Sequence, residues 1–325
     1  MIQNLIITLE IVFPFVAFMV LGALLRRMKL MREDFTEGLN RLLFYVFLPI
    51  NAFNGFYSQD LKGVFHSPRT FYILGGMILS FIFLLLIVPR MEKDPARQGA
   101  MIHAGYRGNA ILFAMPLGRG IFGEDVPEVV FSLAAGMVFF NVISIPLMEY
   151  YRAKVRQQRG SAEAGGRISL GKLVQGLLKT PLFIGVLLGI AWTLFKLPRP
   201  QILQKMVTDL SAPVIPLAFM LLGARLRLVH LKANSRNVFR ISFFKIVLLP
   251  CLMMIFPLLA GWGQRDLVSV LLCFGAPSAV IVFPMTSAYE CDGEMAGEII
   301  STTTFFSLFT LFLAIFALKQ LGLLS

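Results

Sequence analysis

Ten long apolar segments, separated by short polar loops, occupy almost the whole chain. Each segment is close to the ~20 residues that a helix needs to cross a bilayer. The predicted spans, 1 to 10 in chain order, cover residues 3–25, 39–57, 70–89, 99–121, 127–150, 173–195, 204–226, 238–260, 267–289 and 296–318. The pattern therefore predicts an all-α polytopic membrane protein with ten transmembrane helices.

The pattern occurs twice, at a spacing of 167 or 168 residues. The matched residues are Pro14 with Pro181, Gly22 with Gly189, Pro49 with Pro216, and Pro116 with Pro284. Because each half holds an odd number of spans, the second half enters the membrane upside down, which is an arrangement that supports alternating access. We predict two inverted five-helix repeats, residues 1–151 and 173–325, that form one membrane domain with broken, crossing helices in spans 4 and 9.

The loop between the two halves, residues 152–172, is rich in glycine, serine and basic residues, which is typical of a flexible solvated linker. Loops after the odd-numbered spans carry 18 Lys and Arg, against seven in the other loops. The basic side of a membrane protein faces the cytoplasm, so we expect a cytoplasmic linker and both termini outside. The loop after span 9 departs weakly from this pattern, because it holds the acidic residues Glu290, Asp292 and Glu294.

Composition agrees with a protein of the cell membrane, inner or plasma. The chain is 57% hydrophobic with a mean hydropathy of +0.76, and only 15% of its residues are charged, below the roughly 25% of soluble proteins. One-sided basic loops explain the net charge of +12, so we expect no nucleic-acid partner. Cys251, Cys273 and Cys291 have no ligand-like spacing, and we expect no metal site and no cofactor.

Span 4 carries polar residues at a depth where polarity is costly: His103, Arg107 and Asn109, followed by Pro116. A proline removes one backbone donor and disturbs the preceding helical turn. In span 9 Pro277 and Pro284 bracket the equivalent stretch, and Ser278 falls opposite Asn109. Prolines in single spans often do no more than kink packed helices, but matched breaks in inverted halves favour a substrate site near the bilayer midplane, where amides and helix ends can bind an anion.

Two of these residues keep alternative interpretations. Arg107 either extends its charge to the membrane interface or binds a carboxylate. His103, one helical turn earlier, is either a proton relay or a packed histidine.

Other polar residues in the spans widen the candidate site. Asn51 and Asn54, at i and i+3 in span 2, either line the pathway or form interhelical hydrogen bonds. Glu10 in span 1 and Asp209 in span 7 are, with His103, candidates for proton or ion coupling, although Asp209 lies near the membrane edge. Lys245 in span 8 is a further intramembrane charge to which the sequence assigns no partner.

Five stretches resemble the auxin efflux carrier family of transporters, and together they extend over essentially the whole chain. They are LNRLLFYVFLP at 39–49, GYRGN at 105–109, MPL at 115–117, PLAFMLLGA at 216–224 and APSAV at 276–280. The resemblance implies ten spans in two inverted repeats, a crossover of spans 4 and 9 at the substrate site, and organic-anion substrates. The wider fold is similar to that of the bile acid–sodium symporters, and the short linker is typical of a prokaryotic member.

Carried onto this chain, the family crossover falls at Asn109, Pro116, Pro277, Ser278 and Pro284. Where the family often has an asparagine in span 9, this chain has Ser278.

The leading hypothesis is a secondary carrier of a small organic anion, such as a carboxylate, that works by alternating access in a lipid bilayer. The alternative within the transporter class is a sodium-coupled symporter of the bile-acid type. A membrane sensor or an intramembrane enzyme is the alternative from another class. The enzyme is disfavoured because the chain has three histidines, no metal motif and no Ser/His/Asp set. A homodimer is left open.

Overall fold

The computed structural model describes residues 2–57, 68–122, 127–160, 181–198, 200–225 and 235–324, and these residues are almost entirely helical. The helices in the first half are α1 (Ile2–Arg27), α2 (Glu33–Leu42), α3 (Leu48–Tyr57), α4 (Pro68–Met91), α5 (Pro95–Tyr106), α6 (Ala110–Phe122) and α7 (Pro127–Gln158). Those in the second half are α8 (Pro181–Leu194), α9 (Gln201–Ser211), α10 (Val214–Arg225), α11 (Ser235–Phe243), α12 (Leu249–Leu259), α13 (Gln264–Gly275), α14 (Val282–Ala288) and α15 (Gly293–Gln320).

Among the described residues, three helices are long and apolar enough to cross a membrane: Pro68–Met91, Arg236–Leu259 and Gly293–Gln320. The predicted all-α membrane class is therefore confirmed. Spans 4 and 9 are each divided into two helices, α5 with α6 and α13 with α14. The beginning of the predicted linker is helical, since α7 continues to Gln158, and residues 161–180 lie outside the described part of the chain.

The helices form two groups. In the small bundle, α1 packs along α10 and α3 packs along α8. The first of these contacts is close enough to need glycine, because a Cβ on Gly22 would stand 1.9 Å from the carbonyl oxygen of Met220, and a Cβ on Gly223 would stand 1.9 Å from that of Met19. Small residues allow such backbone contact between membrane helices.

The large bundle contains α4 to α7 and α11 to α15, with α5 and α13 at its centre. Every residue from Gln98 to Tyr106 in α5 and from Asp266 to Gly275 in α13 is buried. The local sequence starts α5 at a defined point, because the Asp94 side chain accepts a hydrogen bond from the Ala96 amide and Pro95 takes the first helical position. Both helices end inside the bundle, so their last carbonyl groups need partners there.

Ion pairs mark two faces of the large bundle. On one face, Arg152 and Arg156 at the end of α7 bind Glu290. On the other face, Arg69 at the start of α4 pairs with Asp266 at 3.1 Å. The acidic loop after span 9 therefore lies beside basic residues of two other loops, since Glu290 pairs with arginines of the loop after span 5 and Asp292 pairs with Arg97 of the loop after span 3.

Candidate functional site

The two helix breaks of the large bundle lie against each other. Gly108, between α5 and α6, forms an antiparallel bridge with Ser278, between α13 and α14. The Asn109 amide donates to the Pro277 carbonyl at 2.6 Å, and the Ala279 amide donates to the Arg107 carbonyl at 2.9 Å. Each break therefore satisfies backbone groups of the other break, in the one part of a membrane protein where irregular backbone is tolerated.

The local sequence explains the break after α13 better than the break after α5. Ala276 ends α13 with extended backbone, φ −60° and ψ 141°, as expected for a residue before proline. Arg107 ends α5 in a similar extended conformation, φ −83° and ψ 102°, without a following proline. The breaks occupy residues 107–109 and 276–281. Pro116 and Pro284 lie within α6 and α14, so each break ends before the proline that was expected to belong to it.

Ser278 holds three elements together at the bridge. Its hydroxyl donates to the Ala104 carbonyl of α5 at 2.7 Å, and its amide donates to Thr303 Oγ1 of α15 at 3.1 Å. Thr303 Oγ1 in turn donates to the Ile299 carbonyl of its own helix at 2.7 Å. The serine thus satisfies a terminal carbonyl of α5, which identifies it as part of the framework of the break.

Asn109 is the polar side chain at the break that has an unused donor. It is 7% exposed, and its Nδ2 has no hydrogen-bond partner among the described residues. A buried donor without a partner costs ~1–3 kcal/mol of desolvation free energy. A ligand that accepts a hydrogen bond from Nδ2 recovers this free energy on binding.

Arg107 turns into the bundle. Its side chain is 8% exposed, and Nη1 donates to Ser144 Oγ of α7 at 2.7 Å. The same oxygen receives the Tyr106 hydroxyl at 2.6 Å and donates to the Phe140 carbonyl at 2.5 Å. A hydroxyl has one donor and two acceptor positions, so Ser144 is fully used by these three partners.

His103 bridges the two halves of the chain beside this network. It is completely buried, with Nδ1 3.2 Å from Thr286 Oγ1 in α14 and Nε2 3.2 Å from Ser144 Oγ in α7. Because Ser144 Oγ already has three partners, the contact with Thr286 is the one that can join the ring by a full hydrogen bond, and it links α5 to the half-helix that follows the second break.

The remaining candidates lie elsewhere. Asn51 and Asn54 are half-buried in α3. The Asp209 side chain is 62% exposed and pairs with Lys205 within α9, away from the paired breaks. Glu10, Pro116 and Pro284 lie on described helices, but their side chains are outside the described part of the structure.

Sequence reasoning did not single out the partners on α7 and α15. Ser144 and Thr303 each bond a carbonyl one turn earlier in their own helices, as serine and threonine in membrane helices commonly do, so nothing in the sequence marked them. Glu298 in α15 was also missed, and it is buried in the bundle with 8% of its surface exposed. Its signal was an acidic residue just inside a predicted span.

Outside the spans, Glu290 is held by two arginines. Arg156 Nη2 lies 2.5 Å from Glu290 Oε1, and Arg152 Nε lies 3.3 Å from the same oxygen. The hydrogen bonds and charge of Arg156, and then of Arg152, hold the pKa of this carboxyl below its ordinary value. The turn between α14 and α15 is therefore tied to the end of α7.

A family described as membrane transport protein matches residues 7–315, which is almost the whole chain. The chain belongs to this family, which is that of the auxin efflux carriers. The expected family is thus confirmed, the protein is a membrane transporter, and it is not an enzyme. A transported small molecule and a lipid environment follow from membership in the family.

Two archaeal relatives agree with this assignment. An uncharacterized transporter of Methanothermobacter thermautotrophicus is 24% identical over 307 residues, which cover 93% of this chain and 95% of the relative. An uncharacterized transporter of Methanocaldococcus jannaschii is 23% identical over 308 residues, which cover 93% of this chain and 96% of the relative.

Proposed function

We propose that this membrane transport protein is a secondary carrier of a small organic anion, such as a carboxylate, and that the substrate binds at the paired breaks. The observation that carries the proposal is the buried Asn109 amide group, which has an unused donor where two broken helices meet. The half-helix α6 begins directly after Asn109, and helix N-termini attract negative charge.

In the proposed substrate site, one residue binds the anion and others hold the backbone of the two breaks in place. Asn109 donates to the anion from its unused Nδ2. Pro277 and Ser278 hold the backbone in place, because their carbonyl and hydroxyl groups already bond Asn109 and Ala104. Arg107, fixed by Ser144, supplies a permanent positive charge from within the bundle.

We infer that the chain consists of two inverted five-helix repeats. The packing pairs support this inference: α1 with α10 corresponds to α8 with α3, and α4 with α5 corresponds to α12 with α13. The contact of α5 with α7 likewise corresponds to that of α13 with α15. Two equivalent halves of opposite orientation supply two equivalent states, open to opposite sides.

Alternating access then consists of movement of the large bundle against the small one. The small bundle meets the large one along α1 with α15, and over a narrower contact where α6 meets α1 and α10. Phe113 of α6 and Phe219 of α10 lie at this narrower contact, with ring centroids 4.8 Å apart. Because α6 begins at the break, movement at this contact would open the substrate site to one side.

Binding is tested by thermal unfolding of the purified protein with mono- and dicarboxylates, since a ligand of the folded state raises its apparent stability. Carboxylates that stabilise the protein should also be taken up by proteoliposomes, and uptake should be lost in Asn109→Ala. A carrier that transports only cations or neutral solutes would refute the anion proposal.

Orientation is tested by labelling a cysteine placed at Ser161 in the linker. The variant should carry Cys251→Ser, because Cys251 is the exposed one of the three native cysteines. We expect labelling from the cytoplasm alone, and labelling from outside would refute the orientation.

A further inference from the structure

We propose that Lys245 is a built-in cation of the crossover, and that it takes the place that a bound metal cation would otherwise fill. The proposal rests on the proposed function only in treating the paired breaks as the transport site. Three observations support the proposal: Lys245 is buried, it lies beside Gly108, and two helices end at that point.

The lysine reaches the break from a separate helix. Lys245 lies in a single π-helical turn, Phe244–Leu248, between α11 and α12, and its side chain is 2% exposed. A Cβ on Gly108 would stand only 3.2 Å from Lys245 Nζ and 3.7 Å from the carbonyl oxygen of Cys273. The ammonium group therefore lies directly against the backbone of the first break, beside the last turn of α13.

The π turn and a proline place the lysine there. Pro250 follows the turn at the second position of α12 and has no amide hydrogen to donate to the preceding turn. Single π turns are frequent at functional sites because they alter the direction of one side chain without ending the helix.

The surroundings of Nζ are negative without being acidic. Both α5 and α13 end at the breaks, and the C-terminal end of a helix carries a partial negative charge. Among the described residues, no carboxylate lies within 4.0 Å of Lys245 Nζ. A buried ammonium group is costly unless other groups compensate its charge, and we assign that compensation to the partial charges of the two helix C-termini.

Lys245 and Asn109, the proposed substrate-binding residue, lie on opposite sides of the first break. Side chains alternate between the two sides of extended backbone, so the Cβ direction of Gly108 is opposite to the side chains of Arg107 and Asn109. Residues paired directly across an antiparallel bridge share one side, so Ser278 lies on the side of Lys245. Lys245 and Ser278 thus support the break from one side, and Asn109 faces the other.

This assignment distinguishes the protein from a sodium-coupled symporter. Such a symporter needs oxygen ligands for sodium, and the carbonyl ends of two broken helices are natural ligands for it. Here a covalently held ammonium group lies against those ends. The crossover should therefore be stable without sodium, and should gain a sodium response when the ammonium group is removed.

The test measures the melting temperature of the purified full chain in sodium, potassium and choline chloride at equal ionic strength. We expect the unmodified protein to melt at the same temperature in all three salts. Lys245→Met should melt lower in every salt. Lys245→Asn should also melt lower in choline and should recover part of the loss in sodium, because it adds an oxygen ligand and leaves space. Lys205→Asn, at an exposed lysine, is the matched control and should show neither effect.

Two results would overturn the proposal. One is stabilisation of the unmodified protein by sodium, and the other is a Lys245→Met variant that melts no lower than the unmodified protein. If neither neutral variant folds, Gly108→Ala provides the second measurement: its methyl group would press on Nζ, so it should lower the melting temperature, whereas Gly75→Ala, whose Cβ would meet nothing within 4 Å, should not. Equal melting temperatures of the two alanine variants would count against the contact. No substrate enters these measurements, so a failure of the anion proposal would be seen separately.

Discussion

The backbone amide of Asn109 donates a 2.6 Å hydrogen bond to the carbonyl of Pro277, across a separation of 168 positions in the chain. This bond fixes the backbone of Asn109, while the Nδ2 of its side chain has no partner among the described residues. Because the backbone of Asn109 is hydrogen-bonded and its Nδ2 is not, the side chain can bind a ligand without breaking a hydrogen bond that holds the two breaks together.

The first prediction follows from that separation of roles. Asn109→Ala should weaken carboxylate binding by ~1–3 kcal/mol, because a buried partner of the substrate is lost. It should leave the melting temperature of the substrate-free protein unchanged or raise it, because the variant removes a buried donor that has no partner among the described residues. Thermal shifts and uptake measure the two effects. Asn40→Ala in α2 is the control and should change neither. Normal uptake by Asn109→Ala would return this residue to a packing role.

The second prediction concerns Arg107. Arg107→Lys keeps the charge and loses the planar fork, and Arg107→Gln loses the charge as well. If the charge attracts the anion, uptake should fall in both variants and further in Arg107→Gln, with a raised KM for charged substrates. Ser144→Ala should act in the same direction, because it removes the hydroxyl that positions the guanidinium group. Normal apparent affinity in both Arg107 variants would exclude a role in anion binding.

The third prediction concerns the contact between α1 and α10. Gly22→Ala places a methyl group 1.9 Å from a backbone carbonyl oxygen, so the two helices must move apart. We expect a loss of ~1–3 kcal/mol in the free energy of unfolding, as in other overpacked sites. Gly75→Ala in α4 is the matched control, since its Cβ would meet nothing within 4 Å, and it should be neutral or slightly stabilising. Equal stability of the two variants would contradict the close contact.

The fourth prediction concerns pH. Arg156 and Arg152 lower the folded-state pKa of Glu290, so the ion pair stabilises the fold at pH values above the ordinary glutamate pKa of about 4.3. This stabilisation should be lost as the pH falls through the lowered pKa. The melting temperature of Glu290→Gln should therefore be below that of the unmodified protein at neutral pH, and the difference should vanish in acid.

The partner Arg156 supplies the control for this measurement. In an Arg156→Gln background, the further change Glu290→Gln should cost less at neutral pH, and added salt should reduce the effect at Glu290 because part of the side chain is exposed. A difference between Glu290→Gln and the unmodified protein that persists at low pH would indicate packing instead of charge.

Several features of the fold could be predicted from the sequence, because they depend on local properties. Apolar length predicted the all-helical membrane class, and Pro277 predicted the end of α13, since a residue before proline avoids helical backbone. Pro116 was a weaker guide: it lies inside α6, and the first break lies at 107–109. The pairing with the second break fixes that position, because the extended backbone of Arg107 and Asn109 obtains its hydrogen bonds from Ala279 and Pro277.

By itself, the sequence determined the all-helical membrane class, the family and the presence of costly polar groups in spans 4, 8 and 9. The tertiary structure alone decided which of those groups meet: Arg107 with Ser144, Ser278 with Thr303, and Lys245 with the backbone of Gly108. A buried polar group must find a partner, but its choice depends on the rotation and register of neighbouring helices. Those are set by the packing of the whole bundle, which no local stretch of sequence contains.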